Sequence, residues 1–293
     1  MALVALAWAA VGLSTTAAIA HRRRVKAGRW VAVLGWATFA MFWAGLLPVV
    51  TVQLHSPIET VGAVLGVGVS LLVGYRIATR PAPVLFQLTT AVAVAGTVYL
   101  GAATIDPARS VLVETAAAQT HHVAHVVGFD PVLGVNAATG DRSTLTFLTR
   151  GDRYRTVIVF ACTGIGAIAA FSGIVAAVEA PLRRRIPTLL VVVTGIWVLN
   201  LVRNVFIAVA FGRQWFQVLV PQVMAATGYQ DPGLVSYFVA DRLIAQPLSV
   251  VALVGVTILT ARLLPDLLPA FRRLITAFTG DRNEDTAFGG VDG

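Results

Sequence analysis

Charge is what this sequence has least of. Only 12% of its 293 residues are Asp, Glu, Lys or Arg, about half the share of an ordinary soluble domain. With 57% of residues hydrophobic and a mean hydropathy of +0.80, that deficit excludes a water-soluble globular protein. Cysteine is nearly absent as well. The single one, Cys162, excludes an internal disulfide and leaves the redox compartment open. No internal repeat is visible, and an inverted repeat is a common mark of transporters. Acids are outnumbered, 14 against 22 Lys and Arg, for a net charge of +8. Whether that excess means nucleic acid, anionic lipid or topology depends on where it sits.

What is present is a series of apolar runs. Seven stand out, at 2–20, 30–51, 58–75, 82–104, 156–178, 186–210 and 239–261, most near the ~20 residues a membrane-spanning helix needs. The expected fold is an all-α polytopic membrane protein with about seven transmembrane helices. Fourteen of the 22 Lys and Arg fall in "HRRRVKAGR", "YRIATR", "EAPLRRR" and the segment from Arg262 onward, and six in the alternate loops. The positive-inside rule then places the N-terminus outside and the C-terminus in the cytoplasm of a cell-membrane protein. The excess is a topology signal, so no nucleic-acid partner is expected. Segment 2–20 ends in "AIA" like a signal peptide, but its basic cluster follows the apolar run, the reverse of a secretory signal. It is read as a retained first helix.

Two outward segments exceed turns. From Asp106, "DPARSVLVETAAAQTHHVAHVVGF" has Val111, Val113, Ala117, Val123 and Val126 at helical spacing, with Asp106 as its cap and Pro107 at the first helical position. "PVLGVNAATGDRSTLTFLTR" follows, with a turn-like "NAATGD" between extended apolar runs, which reads as a short β-hairpin. Together they suggest a small extracellular cap. Residues 211–238 read as interfacial or re-entrant, with Trp215 and Phe216 at headgroup depth. The expected organisation is a four-helix membrane region at 1–104, the cap at 105–155, a three-helix membrane region at 156–262 and a cytoplasmic tail at 263–293. The end of that tail, "GDRNEDTAFGGVDG", is read as disordered.

Three residues within or at the edge of the late spans can carry chemistry. On a continuous fifth helix, a rise of ~1.5 Å per residue puts Cys162 ~9 Å below the outer end. Arg203 lies about eight residues before the outer end of the sixth span, and Arg242 begins the seventh. An arginine in a span costs ~2.5–3.5 kcal/mol on insertion scales and commonly marks a polar cavity. Arg203 has Asn200 and Asn204 beside it, a polar stripe that serves either a site or a structural hydrogen-bond knot between helices. Arg242, beside Asp241, reads equally as a headgroup contact. Cys162 alone reads as a small buried residue. With "TGIG" after it, Thr163 and Gly164 admit close approach of another chain. A nearby guanidinium favours thiolate over thiol and can hold an oxyanion.

"ACTGIG", "LNLVRN" and "FVADR" lie on successive spans, with 41 residues from Cys162 to Arg203 and 39 from Arg203 to Arg242. This set resembles the archaeosortase and exosortase family, and within it the archaeosortase A branch. The resemblance implies a membrane-embedded cysteine protease and transpeptidase, a counterpart of the sortases without their fold. It implies that surface proteins such as S-layer glycoprotein are cleaved at a C-terminal sorting signal, a Pro-Gly-Phe motif followed by a transmembrane helix. The new C-terminus is then coupled to a membrane lipid. Carried over by position, Cys162 is the nucleophile and Arg203 the catalytic arginine. Arg242 completes the catalytic set, to stabilise charge or hold the substrate; it stands where many exosortases have His, which leaves the general acid and base unassigned, since Arg does not exchange protons near neutral pH. Thr163, Gly164, Asn200 and Asn204 are supporting or substrate-binding. No cofactor or metal is implied. His121, His122 and His125 are open either as a base or as an exposed helix face. The rival class is a transporter or channel that uses intramembrane arginines for an anion. A rhomboid-like serine protease lacks a Ser/His pair on the spans.

Overall fold

The computed structural model describes residues 2–53 and 57–279. The acidic end of the tail lies outside the described residues. In chain order the helices are α1 (Ala2–Arg22), α2 (Gly28–Pro48), α3 (Pro57–Thr79), α4 (Pro83–Thr104), α5 (Asp106–Val126), α6 (Ile165–Ala177), α7 (Leu182–Gly212), α8 (Val220–Thr227), α9 (Leu234–Phe238), α10 (Gln246–Leu263) and α11 (Leu267–Thr279). Among the described residues, six helical stretches are long and apolar enough to cross a membrane: α1, Gly28–Val52, Thr60–Thr79, α4, α7 and Leu234–Leu263. This is a multi-pass membrane protein. Each such helix satisfies its own backbone N–H and C=O groups, for which lipid offers no partners.

The chain folds as two compact units. One comprises Met1–Leu100, Ala169–Leu189 and Ala261–Gly293. Its core gathers Ala17, Ala32, Trp36, Val73, Ile77 and Leu85. Trp36 donates its indole N–H to Thr89 Oγ1 at 3.0 Å, which satisfies the one polar atom a buried tryptophan brings. Basic residues here close helix ends. Arg29 donates to the carbonyls of Ile77 and Ala78 at the end of α3, and Arg76 donates to the Phe278 carbonyl at 2.7 Å. Last-turn carbonyls have no partner within their own helix, so these arginines supply one.

The second unit, Gly101–Ile168 and Leu190–Thr260, holds the candidate site. Within it the expected helix forms as α5, although Asp106 opens that helix instead of capping it. The cap position is Ile105, which makes no side-chain hydrogen bond there, and Pro107 occupies the first turn. The expected hairpin also forms. β1 (Val132–Gly134) pairs antiparallel with β2 (Thr144–Thr149), Val132 opposite Thr146. A third strand, β3 (Asp152–Val157), extends the sheet in the order β1-β2-β3, with Phe147 opposite Tyr154. The loop between β1 and β2 is tied to α5. The Arg142 amide donates to Glu114 Oε1 at 2.8 Å, and buried Asp141 is held below the ordinary carboxylate range by hydrogen bonds from Ser110 and then Thr139. Phe147 fills the space against Gly212, where a side chain would collide with its ring. Thr149 Oγ1 donates to the Gly212 carbonyl at 2.6 Å. These contacts fix the sheet on the end of α7.

The expected fifth span is the main departure. Residues 156–178 are not one helix. The chain leaves β3 at Val157, makes a single 3-10 turn at Phe160–Thr163 and only then enters α6, which has 13 residues. Ladder pairing to β2 holds the backbone extended through Val157, and Gly164 has a left-handed φ of +74° that no α-helix contains. The helical-rise depth given to Cys162 therefore does not apply. The last span differs too. It begins at Leu234, so Arg242 sits eight residues inside it, within a π-helical turn at Val239–Ala245. The segment read as interfacial contains α8, and its final residues, 234–238, belong to that span.

Candidate functional site

The site grows from the break before α6. The Cys162 amide donates to the Val159 carbonyl at 2.8 Å. Thr163, fully buried, donates its hydroxyl to the Phe160 carbonyl at 2.7 Å and accepts from the Ile165 amide at 3.4 Å. One side chain thus closes the turn and occupies an orphan donor at the start of α6. Gly164 is required twice. Its φ is positive, and a β-carbon there would stand 3.1–3.2 Å from the Asn200 side chain, so any other residue meets backbone strain and a clash together.

Asn200 and Asn204 then grip the turn from α7. Both donate Nδ2–H to the Cys162 carbonyl, at 2.5 and 2.7 Å, and a carbonyl has two lone pairs to receive them. The two asparagines are one helical turn apart, with Arg203 between them. Positions i, i+3 and i+4 share a helix face, so the face that fixes the Cys162 backbone also carries Arg203. The Cys162 side chain is half-buried, packed against the cluster formed by Ala116, Ala117 and Ala124 of α5 with Leu145, Phe147 and Val209. Small residues on α5 let the turn come close.

Arg203 does not stand as a free cation. Its Nη2 lies 2.6 Å from Asp241 Oδ1, with side chains 28% and 12% exposed. Arg242 reaches the other oxygen of the same carboxylate, Nε to Oδ2 at 3.7 Å, and is 54% exposed. Asp241 therefore joins the two arginines, where the sequence reading paired it with a headgroup-facing Arg242. Tyr237 lies one turn earlier on the same span. Its ring packs edge-on to Phe211 with centroids 5.8 Å apart. The carboxylate is a functional candidate that the sequence reading did not pick out, although an acid at the eighth residue of an apolar span was a signal available for it.

A cavity of about 390 Å³ opens beside Arg203. Gly164 and Ala167, Asn200 and Arg203 of α7, and Ala245 and Ser249 contribute to its walls, and the remaining lining is almost wholly apolar. His125 pairs with Asp130 at 2.5 Å on an exposed surface, and His122 is exposed. His121, half-exposed, is also on α5. Among the described residues no three His, Cys, Asp or Glu side chains converge as metal ligands.

The family model of transmembrane exosortases matches residues 1–229, which includes Cys162 and Arg203 and stops short of Arg242. An archaeosortase A of Haloferax volcanii is 38% identical over 95% of this chain and 96% of its own length. An archaeosortase A of Natronomonas pharaonis is 38% identical over 92% of this chain and 87% of its own. No solved structure matches. A family match over most of the chain, joined to two relatives aligned nearly end to end, places the chain in the transmembrane exosortase family.

Proposed function

We propose that the chain is a membrane-embedded thiol transpeptidase that cleaves the C-terminal sorting signal of exported surface proteins and transfers the new C-terminus to a membrane lipid. The observation that carries this reading is the grip of Asn200 and Asn204 on the Cys162 carbonyl, which holds the only thiol in the chain beside the face that bears Arg203. The Cys162 thiolate attacks the scissile carbonyl carbon, and Arg203 faces the oxyanion that forms. The C–N bond breaks, the nitrogen takes up the proton that the thiol gave up, the amine side leaves with the substrate's transmembrane helix, and a thioester remains. A lipid nucleophile loses its proton as it attacks the thioester, and the departing sulfur takes that proton to become a thiol again. Two smaller barriers replace one large one.

The cavity supports a lipid acceptor. Its wall on α7 runs from Ile196 to Phe206, a rise of about 15 Å. Apart from Asn200, Arg203 and Ser249 the side chains along that length are apolar, which suits a hydrocarbon chain. Arg203 lies toward one end of the slot, with Arg242 beyond the matching end of the last span. Two arginines against one aspartate favour an anionic or phosphate-bearing head. Held there, the acceptor gains the advantage of proximity, worth up to ~7–11 kcal/mol, while water does not. The test is mass spectrometry of the processed C-terminal peptide. An added lipid on most of the product is expected; a free carboxylate on most of it leaves a protease and rejects transfer.

The orientation that fits this chemistry has the N-terminus outside and the C-terminus inside, with the site toward the outer face. In a Cys162→Ala background, an impermeant thiol reagent applied to whole cells should label cysteines placed at the exposed positions Arg142 and Asp231, and not one at Arg184. Ser143, though on the same loop, is fully buried and unsuited. External labelling at Arg184 inverts the topology.

A further inference from the structure

We propose that α11 is a lipid-docking helix, which lies on the bilayer surface where α10 ends and binds anionic phospholipid headgroups there. The proposal does not depend on the acyl-transfer reading.

α11 is too short to cross the membrane. Its 13 residues extend about 20 Å, against a hydrocarbon core of about 30 Å. Its side chains sort into separate faces, because positions three and four apart are neighbours on a helix. Leu274, Ala277 and Phe278 pack against the core that holds Trp36, Ile77 and Leu85. Leu268, Phe271 and Ile275 form an adjoining stripe that is exposed. Arg272, Arg273 and Thr276 form the opposite, polar side and are exposed as well. The ion pairs among the described residues do not include either arginine.

Both ends of the helix are tied to the ends of spans. Just before its first turn, Asp266 Oδ2 lies 3.8 Å from Arg184 Nη1, at the start of α7. In its last turn, the Phe278 carbonyl accepts from Arg76 Nη2 at 2.7 Å, near the end of α3. A rod shorter than the hydrocarbon core reaches two span ends only where both lie at one membrane face, so α11 runs along that face. The half of its apolar side that does not meet protein then meets lipid. Helices with this division lie in the interface plane, their apolar face about 5–10 Å into the boundary of headgroups and acyl chains. Two guanidinium groups beside the stripe match phosphate oxygens, and basic residues at a membrane surface draw anionic lipid. A second copy of the same stripe is a poorer occupant, because it would bring its own arginines against these.

Phe271→Cys, Ile275→Cys and Thr276→Cys, each in a Cys162→Ala background, give one labelling site apiece, since the chain has a single cysteine. All three positions are exposed, so folding should be retained. The labelled proteins are placed in nanodiscs of phosphatidylcholine with a minority of phosphatidylglycerol. A nitroxide high on the lipid acyl chain should quench a fluorophore at Phe271→Cys or Ile275→Cys at least about threefold more than at Thr276→Cys, and aqueous iodide should give the reverse order. At equal mole fraction, nitroxide phosphatidylglycerol should quench the Phe271→Cys label about twofold more than nitroxide phosphatidylcholine, and Arg272→Gln with Arg273→Gln should abolish that difference. Iodide quenching as strong at Phe271→Cys as at Thr276→Cys overturns the docking. A Phe271→Cys label shielded from both quenchers overturns it too, since protein then covers the stripe. Equal quenching by the two nitroxide lipids rejects the anionic headgroup. No arm reads processing, so failure of the thiol mechanism leaves each of these outcomes as it stands.

Discussion

Cys162→Ala should give a protein that inserts and folds normally and matures no substrate. The truncation removes one sulfur from a half-buried position, a small loss among large→small changes. The contacts that shape the turn are made by the Cys162 carbonyl and amide, by Thr163 and by the asparagines, and alanine retains all of them. The catalytic loss is of another order. Among the described residues no second cysteine exists to replace the first, and removal of the nucleophile from an acyl-transfer enzyme costs on the order of 10⁶ in kcat. The measurement is the ratio of precursor to mature surface protein in cells that carry only the variant, with membrane levels of the variant checked alongside. Normal maturation at normal levels would end the thiol mechanism.

The parts of this molecule that were legible in the sequence are those where a local rule acts alone. α5 follows from apolar residues at helical spacing, and the β1–β2 hairpin from "NAATGD" between extended runs, because periodicity and turn chemistry are short-range. The division of segment 156–178 was hidden, because hydropathy scores "VIVFACTGIGAIAAF" the same whether it is strand, turn or helix. The available signals were the alternation in "DRYRTV", a strand pattern, and Thr163–Gly164 placed to stop one conformation and start another. Asn200, Arg203 and Asn204 were legible as one stripe because they lie on one helix. What that stripe faces was not: the Cys162 carbonyl is 38 and 42 residues away in the chain. Asp241 misled for the same reason. Its neighbour in sequence is Arg242, but its shorter contact is Arg203, 38 residues earlier, and only the packing of two helices makes that pair.

That packing determines what an arginine-to-lysine exchange should do. Arg203→Lys keeps the charge and should still reduce kcat about 10²–10³-fold, the cost of losing one oxyanion donor set. A guanidinium offers five N–H groups in a planar fork, so one edge can hold Asp241 while another is aimed elsewhere; an ammonium on a flexible stem is a single point. Drawn to Asp241 at the position Nη2 now occupies, the lysine has nothing left to present to the reacting carbonyl. Folding should change little, because the carboxylate keeps a cation beside it. Arg203→Ala is the contrasting case. It strands a carboxylate that is 12% exposed, and breaking a buried pair in this way costs about 3–5 kcal/mol, an upper value here since Arg242 Nε lies 3.7 Å away. A fold defect is expected for that variant and not for lysine. Arg242→Lys should be mild, because its side chain is 54% exposed and an exposed pair contributes ~0–1 kcal/mol. Turnover of the three variants, measured with their thermal unfolding, separates shape from charge. If Arg203→Lys works within a few-fold of the unmodified protein, the fork is irrelevant and Arg203 serves only as the counter-charge of Asp241.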